Sequence, residues 1–348
     1  MRFRQLDRIV DLQPGAEITA ERTLSDRDHF FKDHFPQFPV LPGVLSLESM
    51  FQACDWLVRK TDEFARSVVL LKEVRNAKFA DLVRPGQSIT VSAQIKSHDE
   101  QHVKLAARVT VADKAVASAR LVVERFNLAD RLPARQATDR LLRKHKRAQF
   151  EALDLRPDRH QPVAPTNFRW MWLDRFTEFI RGQRAAAIKT VSLTDEPMDM
   201  YMPGYPIMPA SLIIEGLAQT GGILVNESLD FDKQLVLAKV SKATFHRVAI
   251  PGDTMTFATE ILDATADGFM VRGTSRIDGE PHVDAELVFA NVKHLLGGVE
   301  LMDPADALGM LRLYGLYDVG ETATGDPLGV PERMLDAENK IFAEAGVE

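Results

Sequence analysis

The sequence predicts an α+β fold in which one unit occurs twice in tandem. A stretch that joins three prolines to an apolar helix occupies residues 34–52 and recurs at residues 201–219, without a gap and at an offset of 167 residues. Segments of alternating polarity flank each helix, as expected of antiparallel strands with one buried face. Landmarks that recur in the same order at a near-constant spacing indicate a duplicated domain, and 348 residues are enough for two.

The first unit centres on the helix that follows the prolines. Pro36, Pro39 and Pro42 exclude a helix from the loop, because each lacks an N–H and restricts the residue before it. After Gly43 the apolar residues recur at helical spacing to about residue 60, which predicts a buried helix. One carboxylate, Glu48, lies on that helix, so it must be paired or held neutral.

Strands flank this helix along the chain. Alternating polarity, with turn sequences such as Arg84-Pro85-Gly86 between segments, predicts two strands before the helix and four after it. The predicted strands cover residues 4–12, 16–24, 67–77, 87–96, 102–111 and 115–126. The order of the unit is therefore two strands, one helix and four strands.

The second unit repeats this order with one difference in the loop. Its helical carboxylate, Glu215, corresponds to Glu48, whereas the position of His34 in the first copy is taken by Tyr201. A helix is predicted to about residue 228, and strands are predicted at 183–190, 235–244, 254–261, 268–277 and 282–292. Because only one copy carries the histidine, we expect the two copies to differ in function.

Two further segments lie outside the repeat. Residues 129–164 are rich in Arg and Lys and show weak helical periodicity, which favours a solvated linker helix over a basic docking surface for an acidic carrier. The last stretch, with predicted helices at 305–316 and 331–345, has no counterpart in the first half, and we expect it to pack on the outside. The predicted domains are 1–128, 129–164 (linker), 165–297 and 298–348 (extension).

Composition and charge narrow the function classes. A net charge of −7 argues against general nucleic-acid binding, and no apolar run is long enough for a membrane helix. The start of the chain lacks the apolar region of a signal peptide, so a cytoplasmic protein is expected. The single cysteine, Cys54, lies on the apolar helix and is expected to be a small buried hydrophobic residue.

The loop and helix resemble a motif of the FabZ/FabA-type 3-hydroxyacyl-acyl carrier protein dehydratases, which runs approximately H-F-P-G-x-P-V-M-P-G-V-L-x-x-E-A-x-A-Q. The first copy follows it from His34 to Gln52, with Gln37 in place of glycine and Leu41 in place of methionine, and the second copy resembles the family over residues 172–253. The resemblance implies the hot-dog fold, an antiparallel sheet wrapped around a long central helix. The chain would then be two tandem hot-dog domains that form a pseudo-dimer within one chain, followed by a C-terminal helical extension.

The resemblance also implies a site shared between the copies. In that family two hot dogs pair, and each active site takes its histidine from one and its acid from the other. Carried over, one site would hold His34 and the backbone N–H of Gly43 from the first copy with Glu215 from the second. The pseudo-symmetric site, which lacks the histidine base, would consist of Tyr201, Ala210 and Glu48. One working site per chain is therefore expected.

These residues suit the dehydration of a 3-hydroxyacyl thioester to a trans-2-enoyl thioester. Histidine is neutral and basic near pH 7, since its unperturbed pKa is about 6.5, and could remove the C2 proton. Apolar neighbours would raise the pKa of Glu215 and let it protonate the departing hydroxyl. The Gly43 N–H at the helix N-terminus would polarise the carbonyl, so no metal or cofactor is required.

Other functions remain open at this stage. A hot-dog acyl thioesterase would use a carboxylate to activate water and would not need His34. A non-catalytic acyl-binding or scaffold protein is the third possibility. The expected partner is an acyl carrier protein or coenzyme A that carries the thioester, and association of pseudo-dimers into a homo-oligomer is possible.

Overall fold

Two long helices lie against one continuous, mostly antiparallel sheet in the computed structural model of this chain. The structure describes residues 3–154, 170–195, 197–265 and 268–344. The predicted end of the linker at 155–164, the start of the second copy up to residue 169 and the last predicted helical residue, 345, lie outside the described residues. In the described ranges, no helix is long and apolar enough to cross a membrane.

The first copy has the predicted order of elements. Its helices are α1 (Phe30–Asp33) and α2 (Gly43–Thr61). Its strands are β1 (Arg8–Gln13), β2 (Glu17–Thr23), β3 (Val68–Phe79), β4 (Ser88–His98), β5 (His102–Val111) and β6 (Lys114–Phe126). The long helix and all six strands are confirmed, whereas α1 was not predicted because a single turn is too short to show a helical period.

Helix α2 is buried on nearly every face, as the apolar spacing predicts. Leu45, Leu47, Met50 and Leu57 are inaccessible to solvent, and each contributes about 1.5–3 kcal/mol of hydrophobic burial. Cys54 is also inaccessible and makes no disulfide, which confirms its expected role as a buried hydrophobic residue. This core fixes the helix start, and therefore the loop before it, relative to the sheet.

The linker contains helices α3 (Leu128–Arg131) and α4 (Gln136–Asp154). Helix α4 is not solvated on all sides. Leu142, Lys146 and Phe150 recur every four residues, and all three are buried against the first copy. The Phe150 ring meets Phe64 edge to face, with ring centroids 5.4 Å apart. Apart from the buried Lys146, the basic residues of α4 therefore lie on the outer face of a docked helix.

The second copy repeats the first. Its helices are α5 (Met198–Tyr201) and α6 (Ala210–Glu227). Its strands are β7 (Arg175–Ile180), β8 (Arg184–Thr190), β9 (Leu235–Phe245), β10 (Thr254–Ala264), β11 (Gly268–Ile277) and β12 (Glu280–Asn291). Strand β7 was not predicted, because its six residues mix apolar and charged side chains without a clean alternation.

The two copies join edge to edge through their third strands. Strand β3 pairs antiparallel with β9, with Val74 opposite Ala243. The described strands then follow the order β1-β2-β4-β5-β6-β3-β9-β12-β11-β10-β8-β7, and α2 and α6 contact each other on the inner face. The start of each helix is therefore brought close to the helix of the other copy.

The C-terminal extension folds back onto the second copy. It contains α7 (Pro304–Leu313), α8 (Leu316–Val319), β13 (Gly320–Glu321) and α9 (Glu332–Glu344). Asp303 caps α7 by accepting a hydrogen bond from the Ala305 N–H at 2.9 Å, and β13 adds to the sheet parallel to β7. The two predicted helices are confirmed, but the expectation of an external position is wrong. Apolar side chains of the extension line the cavity described below.

Candidate active site

His34, Gly43 and Glu215 line one cavity at the junction of the two copies. His34 follows α1 directly, and the next residue, Phe35, has a φ of 59°, a left-handed conformation that is uncommon outside glycine. This turn directs the chain into the proline loop that ends at α2. The structure thus brings together the three residues that the family resemblance assigned to the first site.

The His34 ring is held in one tautomer by the loop itself. Its Nδ1 lies 3.0 Å from the carbonyl oxygen of Val40. Because a carbonyl can only accept a hydrogen bond, Nδ1 carries the proton and Nε2 carries the lone pair. Burial lowers the pKa of His34 to about 4, with the Val40 contact opposing this shift. The imidazole is therefore neutral at physiological pH and presents Nε2 as a base.

Glu215 lies in the second turn of α6 and is 7% exposed. Its Oε1 accepts two hydrogen bonds, from the Trp170 indole Nε1–H at 2.9 Å and from the Gln219 amide at 2.9 Å. Burial raises the pKa of Glu215 to about 7, although both hydrogen bonds favour the carboxylate and lower it. Since the two bonds end on the same oxygen, Oε2 is the oxygen that can carry a transferable proton.

Gln219 ties this carboxyl group to the segment that precedes β7. Its Oε1 accepts from the Trp172 N–H at 3.0 Å, and its amide also donates to the Trp170 carbonyl at 3.3 Å. In the first copy Gln52 makes the equivalent contacts with Gln5 and Phe3, at 2.8 and 2.9 Å. The sequence shows that the two glutamines coincide, but not what they do. They orient the glutamates.

Gly43 is the first residue of α2, and a side chain at its position would press against the ring of Phe79. A Cβ atom there would lie 3.0 Å from the ring of Phe79. The N–H of a first helical residue has no acceptor within its own helix, and the helix dipole favours negative charge at this end. A carbonyl oxygen in the cavity can therefore approach this N–H closely, as the sequence predicts.

The cavity continues from this site along α6. It has a volume of about 440 Å³, and Glu215, Ala218, Gly222, Ile223 and Asn226 line it from one stripe of the helix. At 1.5 Å per residue, the stripe is about 16 Å long. Gly222 disfavours a helix by about 1 kcal/mol relative to alanine, but it leaves space in the cavity wall. The lining of the cavity is mainly apolar.

The pseudo-symmetric site has a different character. Glu48 is 1% exposed, and its carboxylate accepts hydrogen bonds from Gln52 at 2.8 Å and from the Ser211 hydroxyl at 2.7 Å. The hydroxyl of Tyr201 also hydrogen-bonds to it, and burial raises the pKa of Tyr201 well above its ordinary value. Both carboxylate oxygens are occupied by protein groups. Ala210, the counterpart of Gly43, begins α6.

Side chains also fill the space where a second cavity would lie. Four residues of α6 line the open cavity: Ala218, Gly222, Ile223 and Asn226. The equivalent residues of α2, 167 positions earlier, are larger or charged: Phe51, Asp55, Trp56 and Arg59. Asp55 and Arg59 form a buried ion pair at 2.7 Å, and Lys146 of α4 lies 3.9 Å from Asp55 and 5.4 Å from the Trp56 ring. The second site therefore has Tyr201 in place of the histidine, and larger or charged side chains stand at the positions that line the open cavity.

His34 was predicted from the sequence, whereas these neighbouring residues were not. Leu173-Asp174-Arg175 matches Leu6-Asp7-Arg8, and continuing that match three residues backwards pairs Trp170 with Phe3. Trp170 is therefore a donor to Glu215 that the first copy cannot supply to Glu48. The same offset of 167 residues, applied to helices α2 and α6, shows that small residues of α6 correspond to larger residues of α2.

An antiparallel sheet wrapped around a long helix is the hot-dog fold, and this chain is a double hot-dog protein. A family model described as a FabA-like domain matches residues 1–120 and again residues 165–291. The chain therefore belongs to the FabA-like family, with two copies of its domain.

Curated relatives carry a single domain of this length. The chain is 32% identical over 130 residues to the 3-hydroxyacyl-[acyl-carrier-protein] dehydratase FabZ of Enterococcus faecalis, an alignment that covers 37% of this chain and 92% of the relative. It is 34% identical over 129 residues to the FabZ dehydratase of Clostridium acetobutylicum, covering 36% of this chain and 91% of the relative.

Solved structures match the double fold as a whole. A putative oleoyl thioesterase from Lactobacillus plantarum has a TM-score of 0.51 at 11% identity, covering 80% of this chain and 97% of that one. A MaoC-like dehydratase has the same TM-score and identity, covering 80% of this chain and 98% of that one. At these identities the likeness supports the fold alone.

Proposed function

We propose that this chain is a hydro-lyase that removes water from 3-hydroxyacyl thioesters and releases trans-2-enoyl thioesters in fatty-acid synthesis or a related pathway. The observation that carries the proposal is the pairing of a neutral imidazole with a carboxyl group whose pKa is about 7, in one cavity and from different copies. The dehydratase activity named for the FabZ relatives supports the same reaction.

Each residue has one role in the proposed reaction. His34 Nε2 takes the C2 proton while the Gly43 N–H stabilises the negative charge on the thioester oxygen. The electron pair of the C2–H bond forms the new C2–C3 double bond, and the C3–O bond breaks. Glu215 Oε2 gives its proton to the departing hydroxyl, which leaves as water. The histidinium and carboxylate exchange a proton with solvent before the next turnover.

The carrier of the thioester is proposed to be an acyl carrier protein, as in the names of the FabZ relatives. The basic outer face of α4 is not part of this proposal, because no residue of α4 lines the cavity that holds His34. We also propose a cytoplasmic location, for which the single buried cysteine is the supporting observation.

The identity of the product tests the proposal. The full chain is incubated with a 3-hydroxyacyl-carrier protein, and the products are separated by mass spectrometry. We expect an enoyl thioester that disappears with His34→Ala, because this variant lacks the imidazole that takes the C2 proton in the proposed reaction. Free acid that persists in His34→Ala would instead identify a thioesterase, and neither product with bound substrate would identify an acyl-binding protein.

A further inference from the structure

The C-terminal extension contributes side chains to the same cavity as His34 and Glu215. Its apolar lining residues include Leu301, Met302, Ala307, Met310, Tyr314 and Met334, and the cation Arg333 also lines the cavity. Tyr314 is 2% exposed and Met334 is 1% exposed, so these side chains are packed inside and shielded from solvent. The FabA-like match ends at residue 291, before this segment begins. The extension therefore adds to the cavity something that the matched domain does not supply.

The extension takes the place around the second copy that the linker takes around the first. Arg147 of α4 donates to the Glu63 carbonyl at 2.9 Å, and Arg333 of α9 donates to the Phe231 carbonyl, in the equivalent turn, at 2.8 Å. Near these turns, the Leu301 N–H donates to Gln234 at 3.0 Å. Each copy is thus followed by a segment that covers the end of its own long helix.

The two covers have opposite effects on the space beneath them. The linker places Lys146 beside Trp56 and Asp55 over the filled cavity. The extension places flexible methionine side chains in the lining of the open one. Methionine is unbranched and fills irregular space, so it closes a cavity without fixing a rigid shape.

The substrate can lie in the cavity in only one direction. The thioester carbonyl belongs at the Gly43 N–H, and the C3 hydroxyl belongs at Glu215. From Glu215 the cavity passes Ala218, Gly222 and Ile223 before it reaches the extension, and this wall is apolar. The acyl chain is the apolar part of the substrate, so its far end points towards the extension.

We propose that the C-terminal extension forms the closed end of the acyl-binding cavity and sets the longest acyl chain, with Met310, Tyr314 and Met334 as specificity-determining residues. The inference rests on the proposed function for the identity of the substrate. It goes beyond it by assigning chain-length selection to a segment outside the FabA-like domains. Substrates with an unbranched apolar chain that spans the α6 stripe are the class that fits.

The test compares substrates whose acyl chains lengthen by two carbons at a time. Met334→Trp fills the end of the cavity, and Met310→Ala deepens it. The matched control is Leu313→Trp on the same helix as Met310, at a side chain that is 73% exposed. For each protein, kcat/KM for enoyl formation is plotted against chain length.

For Met334→Trp we expect a loss of kcat/KM that grows with the length of the acyl chain and is smallest for the shortest substrates. The loss is about fourfold for each methylene that no longer fits, the equivalent of about 0.8 kcal/mol per buried methylene. Met310→Ala should extend activity to longer acyl chains, and Leu313→Trp should leave the dependence of kcat/KM on chain length unchanged. An equal loss at all lengths in Met334→Trp, or a Met310→Ala profile that matches the control, would overturn the inference.

A second measurement separates this inference from the proposed reaction. Thermal stabilisation by saturated fatty acids of increasing length reports on the cavity without catalysis, because a ligand that binds the folded state raises the melting temperature. If Met334→Trp shortens the longest stabilising acid while wild type forms no enoyl product, the extension inference stands and the dehydratase proposal fails. If wild type forms enoyl product but Met334→Trp changes neither the kcat/KM profile nor the longest stabilising acid, the dehydratase proposal stands and the extension inference fails.

Discussion

Trp170 provides the sharpest test of how the acid of the site is tuned. Its indole N–H donates to Glu215 at 2.9 Å, and this bond favours the carboxylate over the neutral acid. Trp170→Phe removes the donor and keeps an aromatic ring beside His34, whose ring centroid is 6.2 Å away. The first copy carries Phe3 at the equivalent position, so the fold accepts phenylalanine there.

The size of the effect follows from the contact. A hydrogen bond to a charged group contributes about 1.5–3 kcal/mol, and a pKa unit corresponds to about 1.36 kcal/mol. Loss of the Trp170 bond should therefore raise the pKa of Glu215 by about one to two units above its value of about 7. Because Glu215 acts as the protonated acid, a higher pKa extends activity to higher pH.

The assay is the pH dependence of enoyl formation. For wild type we expect a bell-shaped profile that rises through about pH 4 as His34 loses its proton and falls through about pH 7 as Glu215 loses its proton. In Trp170→Phe the alkaline limb should move up while the acidic limb stays in place. Trp172→Phe is the matched control, because the side chains that donate to Glu215 are those of Trp170 and Gln219.

An alkaline limb that stays at its wild-type position in Trp170→Phe would refute this reasoning. It would mean that another group controls the loss of activity at high pH. A limb that moves equally in Trp172→Phe would show that general disturbance of the aromatic cluster, rather than the lost donor, causes the shift.

Three further results are expected. The double variant His34→Ala/Tyr201→His should remain inactive in the enoyl assay, because Trp56 and its neighbours fill the second cavity; dehydration by this variant would contradict that explanation. Burial raises the pKa of Glu48 from 4.5 to about 7. Between these two pH values the unfolded state has lost the Glu48 proton and the folded state still holds it. The free energy of unfolding of wild type therefore falls by about 3 kcal/mol as pH rises from about 4.5 to about 7. Glutamine does not titrate, so in denaturant unfolding the stability of Glu48→Gln relative to wild type should rise by that amount between pH 4 and pH 8. A difference in unfolding free energy that is the same at both pH values would refute the raised pKa of Glu48. Ile223→Trp, which copies Trp56 into the open cavity, should abolish dehydration of long acyl chains and spare short ones, whereas equal rates on both would contradict the proposed channel.

The fold could be predicted from the sequence because its signals are local and repeated. The proline loop, the apolar helix and the alternating strands each carry a period of their own, and the repeat doubles every observation. Strand β7 escaped prediction because its apolar and charged side chains do not alternate cleanly, and helix α1 escaped because a single turn is too short to show a helical period. The place of the extension escaped because it depends on contacts between residues such as Arg333 and Phe231, which are distant in the sequence.

The site was predictable in part. The family resemblance placed His34, Gly43 and Glu215 together, and the structure brings them to one cavity, although their roles stay proposals. The tautomer of His34 was not predictable, because it depends on the position of the Val40 carbonyl. The donor Trp170 could have been found, since it differs from its counterpart in the other copy.

The central claim is that each chain has one site, built from His34 of the first copy and Glu215 of the second. The most direct measurement compares kcat for enoyl formation in Glu215→Gln and Glu48→Gln, two identical changes at pseudo-equivalent positions. General acid catalysis contributes about 100- to 10,000-fold, so Glu215→Gln should lose a factor of that order and Glu48→Gln should keep nearly full activity. Loss of activity in Glu48→Gln with retention in Glu215→Gln would contradict the account.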